Sequence, residues 1–243
     1  MRDDTPQICN VGLDGMLVRF GTALSEPANR AALALRDALE REAWDGIEET
    51  SSTLVSTFVR FDPLHLSHAA LAERLRRLLA ARDWYAAEMA EGRRLWRIPA
   101  VFGTELAPQL PQAAELAGLS LEAAIASLSR ARLRVQTIGF APGQPYLGTL
   151  PEAWDIPRQR QLSRRIPEGA LAVAIRQLVL FSVDTPTGWL HVGQTAMQLF
   201  RPEAEAPFLL RPGDEVQFRP VAAEALENLR RAPRGGATCE PLS

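Results

Sequence analysis

GFAPGQPYLGTL, residues 139–150, holds three glycines and two prolines in twelve positions, with an aromatic on each side of the Pro142-Gly143 pair. Proline fixes φ and glycine accepts φ > 0, so Pro142-Gly143 is turn chemistry. The Gln144-Pro145 step adds a second restriction, because a residue before proline is pushed to extended geometry. So constrained a segment reads as a shaped loop, neither helix nor regular strand, with Phe140 and Tyr146 as its anchors. Two roles stand open for it: a rigid structural corner, or a loop lining a ligand.

Working outward, the flanks of this loop differ. Leu133 to Ile138 reads as a strand leading in. Beyond it, Pro157-Arg158, Arg160 and Arg164-Arg165 form an arginine-rich loop that ends at Ile166-Pro167-Glu168-Gly169. Leu171 to Ile175, Gln177 to Val183, Trp189 to Val192 and Val216 to Phe218 read as short strands between Gly and Pro turns. Regular short strands punctuated in this way predict a barrel or sandwich. Upstream, Leu95 to Val101 is a strand, Glu105 to Ala117 a helix stopped by Gly118, and Ser120 the cap of another short helix.

The first third of the chain has a different rhythm. Gln7 to Val11 and Met16 to Phe20 are two strands around a Gly12-Gly15 turn. Ser25 caps a helix with Ala28, Ala31, Ala32, Leu35 and Leu39 at helical spacing. Ile47 to Thr50 and Leu54 to Phe61 form a second strand pair, and Ser67 caps a second helix. The order β-β-α-β-β-α predicts an α+β unit with its helices on one side of an antiparallel sheet. The boundaries expected are a small α+β domain over 1–85, a linker over 86–97, a mainly β barrel domain over 98–225 and a disordered tail over 226–243. His65 and His68 bracket the start of the second helix; with no third ligand nearby they read as a surface helix entry rather than a metal site.

Composition narrows the chemistry. All 27 basic residues of the 243 are arginine, so there is no Schiff-base lysine, no P-loop lysine and no biotinyl-lysine in this chain. Any phosphate or carboxylate contact uses arginine or backbone N–H groups. A net charge of -2 gives no electrostatic case for nucleic acid or an anionic membrane. Cys9 and Cys239 have neither metal nor disulfide spacing, which reads as a reducing, cytoplasmic compartment. The start MRDDTPQICN has no apolar core, so no signal peptide is expected, and no apolar run is long enough for a membrane span. GxSxG, GxxxxGK[ST], HExxH and CxxC are all absent from the sequence.

GFAPGQPYLGTLP, Pro157-Arg158, IPEGALAVA from Ile166, Gln177, TPTGW from Thr185, VGQT from Val192, LFRP from Leu199 and LLRPGDEVQFRPV from Leu209 occur in this order. With the VRFDP strand of the first unit, this set resembles the family of the 5-oxoprolinase B subunit and allophanate hydrolase subunit 1, which includes the sporulation kinase inhibitor KipI. The resemblance implies a cyclophilin-like β-barrel as the second domain. It also implies a partner of the 5-oxoprolinase C-subunit or allophanate hydrolase subunit 2 type, a separate A-type component, and a share in ATP-dependent opening of 5-oxoproline or a related amide. A regulatory binding module of the KipI type, and a carboxyltransferase-type component of a biotin-dependent enzyme, are the alternatives it leaves open. ATP would be shared with partner subunits; no bound metal or covalent cofactor is expected here.

The ligand-binding candidates under this resemblance are Gly139, Phe140, Pro142, Gly143, Gln144, Tyr146, Arg158, Gln177, Trp189, Gln194 and Thr195. Arg158 offers a fork of donors to a phosphate or carboxylate, or else belongs to a solvated or partner-facing loop. Gln177 either points its amide into the barrel mouth or makes a barrel-closing hydrogen bond. Trp189 fits a core position as well as a site, and Thr195 a turn as well as a hydroxyl donor. His191 is the sole histidine of the second domain and is assigned no catalytic role. The sequence departs from the family pattern where Gln144 replaces Phe, Thr187 replaces Gly, Gln194 replaces Arg, and AIRQLVLFS (Ala174 to Ser182) replaces AGxQTGIYP. Gln194 removes a charged donor, which bears directly on anion chemistry.

Overall fold

The computed structural model describes residues 5–89, 91–163 and 165–242, and the chain divides into two units, 1–91 and 92–243. The first unit is built on a four-stranded antiparallel sheet of β1 (Gln7–Val11), β2 (Gly15–Arg19), β3 (Ile47–Ser52) and β4 (Ser56–Phe61), in the order β1-β2-β4-β3. Helix α1 (Glu26–Glu42) starts where Ser25 Oγ accepts the Ala28 N–H, and α2 (His68–Ala80) starts where Ser67 Oγ accepts that of Ala70. Met16, Val18, Val59 and Phe61 alternate onto the face that meets Leu35, Leu39, Leu71 and Leu75 of the helices, giving one apolar core. Its buried polar groups are bonded: Asn29 Nδ2 donates to the Leu54 carbonyl and Thr57 Oγ1 to that of Ala32. His65 bonds Asp62 (2.6 Å) while His68 packs edge-on against Phe61, so the two histidines serve separate neighbours.

The second unit is a closed barrel. Its strands are β5 (Arg94–Phe102), β6 (Leu133–Ile138), β7 (Pro145–Gly148), β8 (Ala170–Ala174), β9 (Gln177–Leu180), β10 (Leu190–Thr195) and β11 (Glu215–Pro220). They run β10-β8-β9-β7-β6-β11-β5, and pairing of Gly193–Thr195 with Ala100–Phe102 closes β10 onto β5. β11 and β5 are parallel; the other pairs are antiparallel. Leu133, Val135, Leu147, Leu171, Val173, Leu178, Leu180, Leu190 and Val192 fill the main core, together with side chains of α3 (Leu110–Leu116) and α4 (Leu121–Arg130). Alternation sends Ala170, Ala172, Ala174 and Val179 to the opposite face, where Ile166, Phe181 and Trp189 cover them. Buried Asp214 joins the barrel's start to its last turn, accepting from Arg94, Trp96 Nε1 and the Arg211 N–H.

Five expectations are corrected by this arrangement. Pro145–Gly148 is a regular strand, because β7 pairs with β6 on one edge and β9 on the other and buries Leu147; tertiary pairing overrides its Gly/Pro content. Phe140 is no anchor: it sits at φ +72°, 73 % exposed. The helix expected from Glu105 begins only at Leu110, with Pro111 in its first turn, because Pro108 has no N–H to give. The stretch 226–243 is structured through 242: α5 (Ala225–Arg231) and a 3₁₀ turn lead to β12 (Thr238–Pro241), which pairs with Arg94–Arg97 of β5. That same β5 begins at Arg94, inside the span drawn as a linker, and Ser243 lies outside the described residues.

Candidate functional site

The candidate residues fall into three groups. The first centres on Gln177, at the start of β9. Its Nε2 donates to Gln136 Oε1 (2.7 Å), and Gln136 Nε2 donates to Thr149 Oγ1 (3.3 Å). Gly148 lies between these amides on β7, and a Cβ there would stand 2.5 Å from Gln136 Oε1. Glycine is therefore required by close approach, and Gln177 closes the barrel wall.

The second group surrounds Trp189. Tyr146 meets its ring edge-on at 6.2 Å, and the Arg158 guanidinium lies over it at 5.1 Å. Gln159 Nε2 donates to the Trp189 carbonyl and accepts from Gln109 through Oε1; Gln109 in turn accepts the His191 N–H. Arg158 itself is exposed, so its charge faces outward from a fixed aromatic seat. The loop before β7 is closed by its own backbone, Gly139 N–H to the Gln144 carbonyl (3.0 Å) and Gln144 N–H to that of Ala141 (3.1 Å). Gln144 Oε1 accepts from the Ser182 N–H (3.4 Å), and Gly143, at φ +72°, runs against the Leu199 carbonyl; Pro142 is exposed. Arg164 lies outside the described residues.

The third group is a cleft of about 470 Å³ at the end of β10. Gln194 and Thr195 line it, and no other candidate does. Thr195 Oγ1 donates to the Gly169 carbonyl (3.1 Å) and accepts the Met197 N–H (3.3 Å). Gln194 Nε2 donates to the carbonyls of Glu168 (2.8 Å) and Thr195 (3.0 Å). Flipping the amide would set its oxygen against two carbonyl oxygens, so the orientation is fixed. The remaining walls include Gly169 and Arg201, from the IPEG and LFRP runs, together with Arg230, Arg231, Arg234 and Gly235, which the sequence pattern did not single out. A Cβ on Gly235 would stand 2.4 Å from the Ala196 carbonyl oxygen, so the C-terminal turn is seated directly on the end of β10. The run RRAPRGG was the available signal: arginines punctuated by Pro and Gly, which read as tail only because no element was expected to follow.

Two titratable groups here depart from ordinary behaviour. Burial pushes the Glu168 carboxyl up, and the Asp184 charge adds to it. Burial holds the His191 imidazole down, opposed by the Gly193 backbone and the neighbouring Gln194 amide. The His191 and Gln194 side chains adjoin without reaching hydrogen-bond geometry, and His191 Nε2 has no partner among the described residues. Among the described residues no set of His, Cys, Asp and Glu side chains is arranged to hold a metal ion, and no helix is long and apolar enough to cross a membrane.

A four-stranded α+β unit followed by a closed seven-stranded barrel defines a class of two-unit proteins. Residues 6–210 match the family model of the carboxyltransferase domain, subdomain C and D. The chain is 32 % identical over 222 residues to the 5-oxoprolinase B subunit of Bacillus subtilis (strain 168), covering 87 % of this chain and 91 % of that one. It is 37 % identical over 140 residues to the 5-oxoprolinase B subunit of Escherichia coli O157:H7, covering 57 % and 64 %. The chain belongs to the family of 5-oxoprolinase B subunits within these carboxyltransferase-type domains. Among solved structures, TTHA0988 superposes with a TM-score of 0.73 at 34 % identity, over 86 % of this chain and 40 % of that one. Kluyveromyces lactis urea carboxylase superposes at 0.76 with 17 % identity, over 97 % of this chain and 24 % of that one, which is a likeness of fold.

Proposed function

We propose that this chain is one component of an ATP-dependent hydrolase of 5-oxoproline or a closely related cyclic amide, working in complex with proteins like the C and A subunits of 5-oxoprolinase. One observation carries the reading: similarity to the Bacillus subtilis 5-oxoprolinase B subunit extends over both units of the chain and nearly the whole length of the relative. The expected chemistry is activation of the amide oxygen by phosphorylation and then hydrolytic ring opening, with nucleotide bound jointly with the partners. In this reading Arg158, held over Trp189, offers its guanidinium to a substrate carboxylate. The Tyr146–Trp189 edge supplies an apolar floor beside it.

The test is reconstitution with these two partner proteins, followed by 5-oxoproline-dependent ATP hydrolysis. The complex should form, and Arg158→Ala should cut substrate-dependent turnover by roughly 10-fold or more, the worth of one charge-assisted contact. A stable complex with no turnover on 5-oxoproline would instead favour a regulatory binding role. Failure of the chain to associate with any such partner would overturn the reading as a component of a larger enzyme.

A further inference from the structure

We propose that Gln109 and Gln159 are positioning residues for Arg158: their paired amides fix where its guanidinium stands over Trp189, and so where its donors meet a substrate carboxylate. The substrate half of this inference rests on the reading of Arg158 given above; the positional half concerns the chain alone. Arg158 is exposed, and among the described residues no carboxylate pairs with it. A guanidinium in that setting has many rotamers to lose on binding, and affinity is gained by fixing it beforehand. The 5.1 Å approach to the Trp189 ring is one restraint, but a face-on contact is tolerant in position and does not hold the backbone that carries the arginine.

That backbone is held by the next residue. The Gln159 N–H donates to the Gly188 carbonyl (2.7 Å) and the Ser163 N–H to that of Thr187 (2.8 Å), so the arginine loop lies along 187–189. A Cβ on Gly188 would stand 3.2 Å from the Gln159 carbonyl oxygen and 3.8 Å from Arg158 Cβ, so glycine permits the close approach. Gln159 Nε2 then reaches the Trp189 carbonyl (3.1 Å), and one residue grips two successive positions beneath the ring.

Gln109 ties this grip to the barrel. Its N–H donates to the His191 carbonyl (3.1 Å) and its Oε1 accepts the His191 N–H (2.9 Å), beside the bulge between His191 and Gly193. Its Nε2 is left for Gln159 Oε1 (3.1 Å). Turning either amide over would set donor on donor and acceptor on acceptor, so each holds the other's orientation. The Gln136–Gln177 pair joins strands within one sheet, whereas this pair joins a loop carrying an unpaired cation to the barrel. Arg158 is the residue next to that join.

The test is a double-mutant cycle between Gln159→Met and Arg158→Ala, read in two ways. The first is fluorine-19 NMR of the full chain labelled with 5-fluorotryptophan, the Trp189 resonance being assigned by its loss in Trp189→Phe. Arg158→Ala should move that resonance, and so should Gln159→Met while Arg158 is present. In the Arg158→Ala background the shift caused by Gln159→Met should fall to less than about half. The second is steady-state kinetics of the complex with the C- and A-like proteins. Gln159→Met should raise KM for 5-oxoproline by ~5-fold with kcat within ~2-fold, and should leave KM unmoved in the Arg158→Ala background. Gln109→Met should raise KM by ~3-fold. It also strips the partner of the His191 N–H, so circular dichroism and melting accompany every variant and the cycle is run on Gln159. Equal resonance shifts in both backgrounds would overturn the proposal whatever the turnover. In a complex that turns over, a KM unmoved by Gln159→Met or by a folded Gln109→Met, or raised equally by Gln159→Met in both backgrounds, would overturn it as well. A wild-type complex without turnover would sink the substrate role of Arg158, and the NMR cycle alone would then decide the positioning.

Discussion

Gln177 and Gln194 are glutamines on the same barrel, 2 % and 3 % exposed, and their surroundings could hardly differ more. Gln177 donates to Gln136, Gln136 donates to Thr149, and the relay lies flat across β6, β7 and β9 with glycine beneath it. Gln194 anchors its nitrogen to the carbonyls of Glu168 and Thr195, and its buried oxygen lies beside the His191 ring. Burial alone does not separate a structural amide from a binding one; the count of satisfied atoms does. On that measure the Gln177 wall is closed side chain to side chain, whereas Gln194 is held through its nitrogen alone, by backbone carbonyls.

The contrast breaks most visibly at Gly148. An alanine there would place Cβ 2.5 Å from Gln136 Oε1 and 2.9 Å from Gln136 Cδ, atoms held by the relay in a fully buried position. Gly148→Ala should destabilise the protein by about 2–3 kcal/mol, the cost of overpacking plus a displaced hydrogen bond, read as a lower urea midpoint. Gln177→Leu is milder, because it deletes the 2.7 Å bond to Gln136 without forcing atoms together; about 1–2 kcal/mol is expected.

Much of the first unit was legible because its signals are local. Ser25 and Ser67 each cap a helix within hydrogen-bond reach of the third residue on, and the apolar spacing of α1 runs uninterrupted from Ala28 to Leu39. The barrel was legible as a class from its short punctuated strands. Pro145–Gly148 was not legible as a strand, since its prolyl and glycyl ends argue against one and only its two neighbours in the sheet impose it. The cleft was legible only at Gln194 and Thr195. Arg201 follows β10 closely in the chain, whereas Arg230, Arg231 and Arg234 reach the end of β10 where β12 pairs with β5, a contact between the last strand and one more than 140 residues earlier. The family pattern has arginine where Gln194 stands, so its loss suggested a weakened anion site. In the fold, Gln194 spends its amide nitrogen on the Glu168 and Thr195 carbonyls instead.

The finest distinction between the walls lies at His191, which adjoins Gln194 and is buried with Nε2 unpartnered. Burial lowers its pKa in the folded chain, whereas in the unfolded chain it titrates near the ordinary value of ~6.5. Between those two values the unfolded state binds more protons, so stability rises with pH across that window. The contribution is therefore neutral above ~6.5 and becomes a penalty as pH falls through ~6.5 toward the lowered folded value. His191→Leu removes the titration and fills the position with an apolar side chain, leaving the backbone bonds to Gln109 in place. Urea denaturation of the two proteins from about pH 7.5 down to about pH 5 should show nearly equal stability at the upper end and a shallower decline in the variant, an effect smaller than either substitution at the Gln177 wall. Parallel curves would mean that the His191 ring is solvated in the folded chain, and the end of β10 would then be less closed than the Gln177 wall.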